Sequence, residues 1–381
     1  MNKKIIFYVQ HLLGIGHLKR VSIIVNLISK KGLDITVISG GSKISSIDFG
    51  NATFVQLPPI KSENADFKNL LDEKGNKIDA ALKKKRQELL LKIFNKIRPE
   101  ILITEMFPFG RNQMKFEILP LLKQATKGKT VIISSIRDII ISDLKKEKID
   151  QLNFILSKYY NYILVHGEES VYSIGQKLKL EKSNIKKIFY TGYVCEKQKK
   201  INVGFKNNKE ILVSAGGGAV GKKIIINSIK ASSLFPNMDF KWRIIIGINE
   251  SNFNKKEYYK LAKELGGNIV FEKFSKNFHR HLQNCLISIN QGGYNTLMEI
   301  ISGRVKSIII PFSEDIKSDQ IIRAGHYSYL NYIKIIQENE LSPSKLKNYI
   351  PQLIKIDPLK LSIPEFNGSE NTYKFIADII K

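Results

Sequence analysis

An apolar run that stops at two glycines and restarts with helical spacing constrains this chain more than any other stretch. Residues 285–289 read as a buried strand, Asn290-Gln291 end it, and Gly292-Gly293 allow a tight turn and close approach of a ligand. Thr296 to Ile301 then begin a helical apolar pattern. A strand feeding a helix through glycines leaves unpaired N–H groups at the positive end of the helix dipole, an arrangement that favours a phosphate. Glu299 is expected in the first helical turn, where its carboxylate could accept two hydrogen bonds from a ribose diol. The competing reading is a plain turn followed by a solvated glutamate.

The same alternation recurs along the chain. Ile5–Val9 reads as a strand, residues 11–16 as a loop, and His17 onward as a helix with Leu18, Val21, Ile24, Val25 and Ile28 on its apolar face. Further strands are expected at 35–38, 53–57, 101–104, 131–134 and 163–166, their continuous apolar character pointing to a parallel sheet covered on both faces. Residues 61–79 look like a long loop, and Leu82, Leu89, Ile93 and Ile97 mark a helix whose other side carries Lys83-Lys84-Lys85-Arg86. The pattern restarts after a polar, Lys-rich stretch: strands at 211–214, 242–246, 268–271, 307–310 and 332–336, with helices from about 222, over 258–265 and over 315–325. The expected organisation is therefore α/β, two doubly wound Rossmann-like domains at 1–196 and 209–381, joined by a linker at 197–208. Residues 369–381 read as a terminal helix of the second domain, with Ser369 as its N-cap.

Sixty-one Lys and Arg against thirty-five Asp and Glu give a net charge of +26, so nucleic acid, acidic phospholipid or a phosphorylated substrate would each suit the chain. Much of the excess is Lys scattered among Ile and Asn, a pattern that compositional bias alone also yields. A nucleic-acid-binding protein is disfavoured by the lack of a motif and of charge clustered in one segment. Cys195 and Cys285 lie far apart, which supports neither a disulfide framework nor a zinc site. The apolar run after Met1-Asn2-Lys3-Lys4 is broken by Gln10 and His11, too early for a signal peptide, and no stretch reaches the ~18 apolar residues of a membrane span. A cytoplasmic location is expected, and the charge leaves room for peripheral attachment to an anionic membrane.

Residues 215–223, Ala-Gly-Gly-Gly-Ala-Val-Gly-Lys-Lys, have the spacing of a P-loop but end in Lys223 where a magnesium-holding hydroxyl is required. Gly216, Gly217 and Gly218 are better read as a loop whose backbone N–H groups meet a phosphate. At the first strand-to-helix turn, Gly14-Ile15-Gly16-His17 lacks the third glycine of a dinucleotide fingerprint, since Lys19 stands there. What remains is a loop presenting His17 at a helix start, where the dipole keeps the imidazole neutral and fit to act as a base; a structural histidine is the alternative. Glu105, Arg111 and Arg137 follow strands on the same rim. The arginines could meet an anionic acceptor, or form a brace of Arg137 with Asp138 or Glu105, and Glu105 is the substitute base if His17 is not one.

Taken together these motifs resemble a GT-B glycosyltransferase of family 28, the family of a peptidoglycan N-acetylglucosaminyltransferase. They are still more similar to a branch of predicted bacterial glycosyltransferases carrying Gly-Ile-Gly-His-Leu-Lys-Arg, Glu-Met-Phe-Pro-Phe-Gly-Arg and Asn-Gln-Gly-Gly-Tyr-Asn-Thr. The resemblance implies two domains facing a cleft, the first binding an acceptor through Gly14, Gly16, Arg111 and Arg137, and the second a nucleotide sugar. It sets Gly216–Gly218, Gly292, Gly293, Asn295 and Thr296 around the diphosphate, Glu299 at the ribose, Phe274 at the base, and Asp319 and Gln320 at the donor sugar. His17 becomes the general base of an inverting hexosyltransferase using a UDP-sugar, with a lipid-linked acceptor in view and no cofactor. The absence of an Asp-x-Asp motif implies no metal. The chain departs from the peptidoglycan enzyme at Ile321, where a second Gln is usual. A nucleotide-sugar 2-epimerase of the same shape is the alternative enzyme.

Overall fold

The computed structural model describes residues 3–63, 69–140, 145–196, 209–215, 221–247, 250–273, 275, 277–312, 318–358 and 363–380. They fall into two units, Met1–Cys195 with Glu365–Lys381, and Glu196–Pro364. The first unit runs β1 (Lys4–Val9), α1 (Gly16–Ser29), β2 (Asp34–Ser39), β3 (Thr53–Gln56), β4 (Lys61–Ser62), β5 (Leu70–Leu71) and α2 (Ala80–Ile97). It continues with β6 (Ile101–Glu105), α3 (Lys115–Ala125), β7 (Val131–Arg137), α4 (Lys146–Tyr159), β8 (Tyr162–His166), the short helices α5 (Ile174–Lys177) and α6 (Lys182–Ile185), and β9 (Ile188–Tyr190).

Seven of these strands make one sheet in the order β3-β2-β1-β6-β7-β8-β9, every pair parallel. Alternate side chains of β1 serve the two faces: Ile6 and Tyr8 pack into one apolar cluster, Ile5, Phe7 and Val9 into the other. The winding reverses between β1 and β6, so their carboxyl ends border the crevice where such sheets bind ligands. The expected loop at 61–79 is partly ordered by the antiparallel β4–β5 pair.

One expectation about charge is overturned. Arg86 does not lie on the solvated face of α2 with Lys83–Lys85 but is fully buried, because α3 and the segments following β1, β2 and β3 together supply partners for its donors. Its Nε reaches Glu117 Oε2 at 2.8 Å, Nη2 reaches Glu117 Oε1 at 2.6 Å and Gln10 Oε1 at 3.0 Å, and Nη1 reaches the carbonyls of Gly40 and Pro58. A buried guanidinium is tolerated only when satisfied this fully.

The second unit contains β10 (Glu210–Ser214), α7 (Lys222–Ser232), β11 (Lys241–Ile245), α8 (Asn252–Leu265), β12 (Ile269–Glu272), α9 (Phe278–Asn284) and β13 (Ile287–Asn290). There follow α10 (Tyr294–Ser302), β14 (Ser307–Ile309), α11 (Asp319–His326), β15 (Ile333–Ile335) and α12 (Pro343–Ile354). Its parallel sheet has the order β12-β11-β10-β13-β14-β15, the doubly wound arrangement expected, with the winding reversed between β10 and β13. Helix α12 was not foreseen; Ser342 caps it and Leu346, Ile350 and Leu353 bury its inner face. The expected linker at 197–208 lies outside the described residues.

The last helix, α13 (Gly368–Ile379), belongs to the first unit and not, as the sequence suggests, to the second. Its Tyr373, Phe375, Ile376, Ile379 and Ile380 join the cluster built on α1 and β1, and Phe375 packs against Tyr162 and Phe189. Gly368 donates its N–H to Tyr193 O at 3.0 Å, and a Cβ there would meet that residue's carbonyl carbon at 2.6 Å, so only glycine allows the approach. The N-cap position is Asn367; Ser369 lies inside the helix and is buried. Among the described residues no helix is long and apolar enough to cross a membrane.

Candidate active site

In the first unit, parallel register builds the site. Helix α1 opens at Gly16, which puts His17 at its second residue, while Glu105 ends β6 and stands beside Ser135 of β7. His17 Nδ1 lies 3.0 Å from Glu105 Oε1. Arg20, one turn further along α1, binds the same carboxylate oxygen, and Ser135 Oγ donates to Oε2 at 2.7 Å. Glu105 and Arg20 are each 2% exposed. The anticipated brace on Glu105 is thus supplied by Arg20.

Burial alone would raise the Glu105 pKa, but Arg20 and His17 outweigh it and hold the carboxyl at about 2. An ionised carboxylate only accepts, so His17 Nδ1 must carry the proton of the pair, leaving Nε2 with a free lone pair. Arg20 Nη2 also sits 3.4 Å from Nδ1, a contact that is a hydrogen bond only in the opposite tautomer. Burial, then Arg111, push His17 down to about 3, against the pull of Glu105. Though 17% of its side chain meets solvent, the ring is neutral at physiological pH. Arg111 donates from Nε to Gln10 O at 2.7 Å and is lowered to about 10 by burial, with Arg137 and Arg20 adding to the shift and Glu105 opposing it. Arg20 is balanced by Glu105, which leaves the half-buried Arg111 and Arg137 as the further positive charges beside the pair. Gly14 is exposed with nothing within 4 Å of a built Cβ, so no crowding demands a glycine there.

In the second unit the turn after β13 has the expected form. Asn290 accepts the Gly292 N–H on Oδ1 at 2.8 Å and donates from Nδ2 to Ser288 Oγ at 2.9 Å. Gly292 has φ +68, and a Cβ there would strike Ile309 Cγ2 at 2.5 Å. Helix α10 begins at Tyr294 with Gly293 as its N-cap and no acidic residue in the first turn. The first described bond of the helix ladder is Leu297 N to Gly293 O, at 2.9 Å, so the N–H groups of Tyr294, Asn295 and Thr296 precede that ladder at the positive end of the helix. Among the described residues nothing lies within 4 Å of where a Cβ on Gly293 would stand.

Glu299 is in the second turn of α10, not the first, because the helix starts two residues before Thr296. Nor is it solvated: it is 5% exposed and paired with His279 Nδ1 at 3.2 Å. Glu196, His279 and Glu299 bring one nitrogen and two carboxylate oxygens within 4.8 Å of one another, a set able to hold a divalent ion. Asp319 and Gln320 open α11, later than the expected start at 315. Asp319 Oδ2 accepts from Arg323 Nη2 at 2.9 Å and Gln320 Oε1 from Phe312 N at 2.9 Å. Arg323 in turn lies 5.5 Å from the centre of the Tyr294 ring, tying α11 to the start of α10. Lys222, at the start of α7, pairs with Glu257 of α8 at 2.7 Å. Gly216, Gly217, Gly218 and Phe274 lie outside the described residues.

Sequence reasoning missed Arg20, Ser135, His166 and His279. Arg20 carried a signal, its i, i+3 spacing from His17 on one helix face. The others gave none, since their partners come from different strands or helices.

Residues 211–378 match the glycosyltransferase family 28 C-terminal domain. Two relatives are UDP-N-acetylglucosamine--N-acetylmuramyl-(pentapeptide) pyrophosphoryl-undecaprenol N-acetylglucosamine transferases. The one from Oceanobacillus iheyensis is 26% identical over 178 residues, covering 46% of this chain and 47% of the relative. The one from Clostridium perfringens is 27% identical over 178 residues, covering 46% and 48%. The chain thus spans about half the length of the curated relatives it matches. Among solved structures it is similar to the glycotransferase of kitacinnamycin, with TM-score 0.65, 12% identity and full coverage of both chains. It is also similar to MurG of Acinetobacter baumannii, with TM-score 0.58, 11% identity and coverage of 98% and 99%. The UDP-GlcNAc 2-epimerase of Methanocaldococcus jannaschii has TM-score 0.63, 12% identity and coverage of 99% and 100%. At such identities these likenesses speak to the fold, which is GT-B.

Proposed function

We propose that this chain, whose residues 211–378 match the glycosyltransferase family 28 C-terminal domain, is an inverting, metal-independent glycosyltransferase. It moves a sugar, N-acetylglucosamine or another hexose, from a UDP-sugar to a hydroxyl of a lipid-linked acceptor. The observation that carries this reading is a glycine turn into a helix start, at Gly292–Thr296, of the form that suits an anion, falling inside the matched residues. The names of the related enzymes supply the donor and the pyrophosphoryl-undecaprenol carrier that we extend to this chain.

In the mechanism, His17 Nε2 takes the proton of the acceptor hydroxyl as its oxygen attacks the anomeric carbon. The bond from that carbon to the diphosphate oxygen breaks on the opposite face, and the amides opening α10 stabilise the leaving charge. Glu105 stabilises the imidazolium formed on His17, as a carboxylate does behind a catalytic histidine. Arg111 and Arg137 meet the acceptor's anionic part, Glu299 the ribose, and Asp319 and Gln320 the donor sugar. Binding of the ribose then requires Glu299 to exchange or share its His279 partner.

The test is mass spectrometry of the purified chain with a panel of UDP-sugars and a polyprenyl-pyrophosphate-linked sugar acceptor, with and without chelator. Acceptor heavier by one sugar, with UDP released in both conditions, is the expected result. Appearance of the C2 epimer of the donor without transfer would replace the proposal with the epimerase reading. Loss of transfer on chelation would transfer attention to Glu196, His279 and Glu299.

A further inference from the structure

Behind Glu105 lies a second histidine for which the mechanism above has no use. His166 ends β8, is 0% exposed, and contacts hydroxyls with both ring nitrogens: Nε2 is 3.0 Å from Ser135 Oγ and Nδ1 is 2.8 Å from Thr191 Oγ1. An apolar side chain would fill such a position without the desolvation cost of an imidazole, so its polarity calls for a reason.

Donor counting gives the reason. Glu105 accepts only, so the single Ser135 hydroxyl proton is committed to Oε2. Ser135 Oγ must then accept from His166, which makes His166 the Nε2–H tautomer; its Nδ1 faces the Thr191 hydroxyl, whose one proton also has the carbonyls of Gly192 at 2.9 Å and Val165 at 3.3 Å as acceptors. The donors run in one direction, His166 to Ser135 to Glu105, and the chain ends at the oxygen opposite the one that receives His17. The charged groups around His166 are Arg20 of α1, which disfavours its protonation after burial has done so first, and Glu105 of β6, which opposes this; the net effect is a ring held neutral, near 3.

We propose that His166 is a positioning residue for His17: acting through Ser135, it locks the Glu105 carboxylate in the orientation that keeps the His17 proton on Nδ1 and the lone pair on Nε2. The value of this role rests on His17 being the base, but the geometry it fixes can be read without any sugar transfer.

The experiment is ¹⁵N NMR of the full chain labelled at histidine; six histidines keep assignment by single substitution practical. In the parent, His17 should show a protonated Nδ1 and an unprotonated Nε2 at neutral pH. In His166→Leu the two His17 shifts should move toward each other as the tautomers mix, and His166→Gln, which restores a donor toward Ser135, should recover most of the difference. Ser135→Ala cuts the same link and serves if His166→Leu does not fold. In turnover, His166→Leu should lower kcat by about tenfold with donor KM unchanged, and the Ser135→Ala double variant should be no slower than the worse single, since both act through one path. Unchanged His17 shifts in a folded His166→Leu or Ser135→Ala chain would overturn the proposal, as would losses that multiply in the double variant. Correct shifts in a chain that transfers no sugar would sustain the positioning and defeat the transferase reading instead.

Discussion

Replacing Glu105 by Gln keeps the shape of the side chain and removes its charge, a perturbation whose outcome follows from three donors that converge on it. Arg20 and His17 Nδ1 both point at Oε1, and Ser135 Oγ points at Oε2. An amide offers one oxygen and one NH₂, so one side must face a donor with a donor. If the NH₂ faces His17, the ring is driven to the tautomer protonated on Nε2 and cannot take a proton. If it faces Ser135, the hydroxyl must turn to accept, and its own proton loses the Oε2 acceptor it had in the parent. Arg20 is left buried without its counter-charge in either case, a change expected to cost about 3–5 kcal/mol of stability. Turnover should fall by ~10²–10⁴, the usual worth of a correctly placed base, which at about 1.36 kcal/mol per tenfold is roughly 3–5 kcal/mol of barrier. The assay is UDP release at saturating donor, run beside a thermal melt well below the variant's transition. Donor-induced stabilisation should persist, because the proposed donor contacts belong to residues 211–378. A folded Glu105→Gln chain turning over within tenfold of the parent would refute the base–carboxylate pair.

The other expectations are simpler. UDP should raise Tm with or without chelator, and Glu299→Ala should weaken that effect by roughly 1–3 kcal/mol, the cost of losing a charged acceptor; an undiminished shift removes Glu299 from the ribose. Activity should have its acid limb below the ~6.5 of free imidazole, since His17 is depressed, and a half-maximum at or above 6.5 would contradict a buried neutral base. The signs for stability agree: His11, His17 and His166 all have lowered folded pKa values, about 4, 3 and 3, so the unfolded chain binds more protons below ~6.5 and stability is lost as pH falls from there toward those values. Denaturant midpoints at pH 7 and 5 check this, and an unchanged or higher midpoint at pH 5 would count against the burial of these rings. Exposed Lys83–Lys85 should draw the chain to acidic vesicles at low salt and release it at moderate salt; equal sedimentation with neutral vesicles would leave the charge without this role.

The alternation of strand and helix, the glycine turn before α10 and the start of α1 beside His17 were legible in the order of residues, because each depends on neighbours within a few positions. Gly292 is the clearest case, since its positive φ follows from one strand turning sharply into one helix, whereas the crowding by Ile309 comes from the neighbouring strand β14. Other features depended on partners that sequence spacing does not bring together. Glu105 meets His17 across 88 residues because β1 and β6 become neighbours where the sheet reverses its winding. Arg86 reads as one more cation in a basic run until α2 packs on α3 and presents Glu117 to it. Helix α13 looks like the end of the second domain, as does the family match that runs to residue 378, yet its apolar face is buried on the first unit. Helical period tells which face of a segment is apolar, but only tertiary packing decides what covers that face, and which distant polar group makes a buried charge affordable.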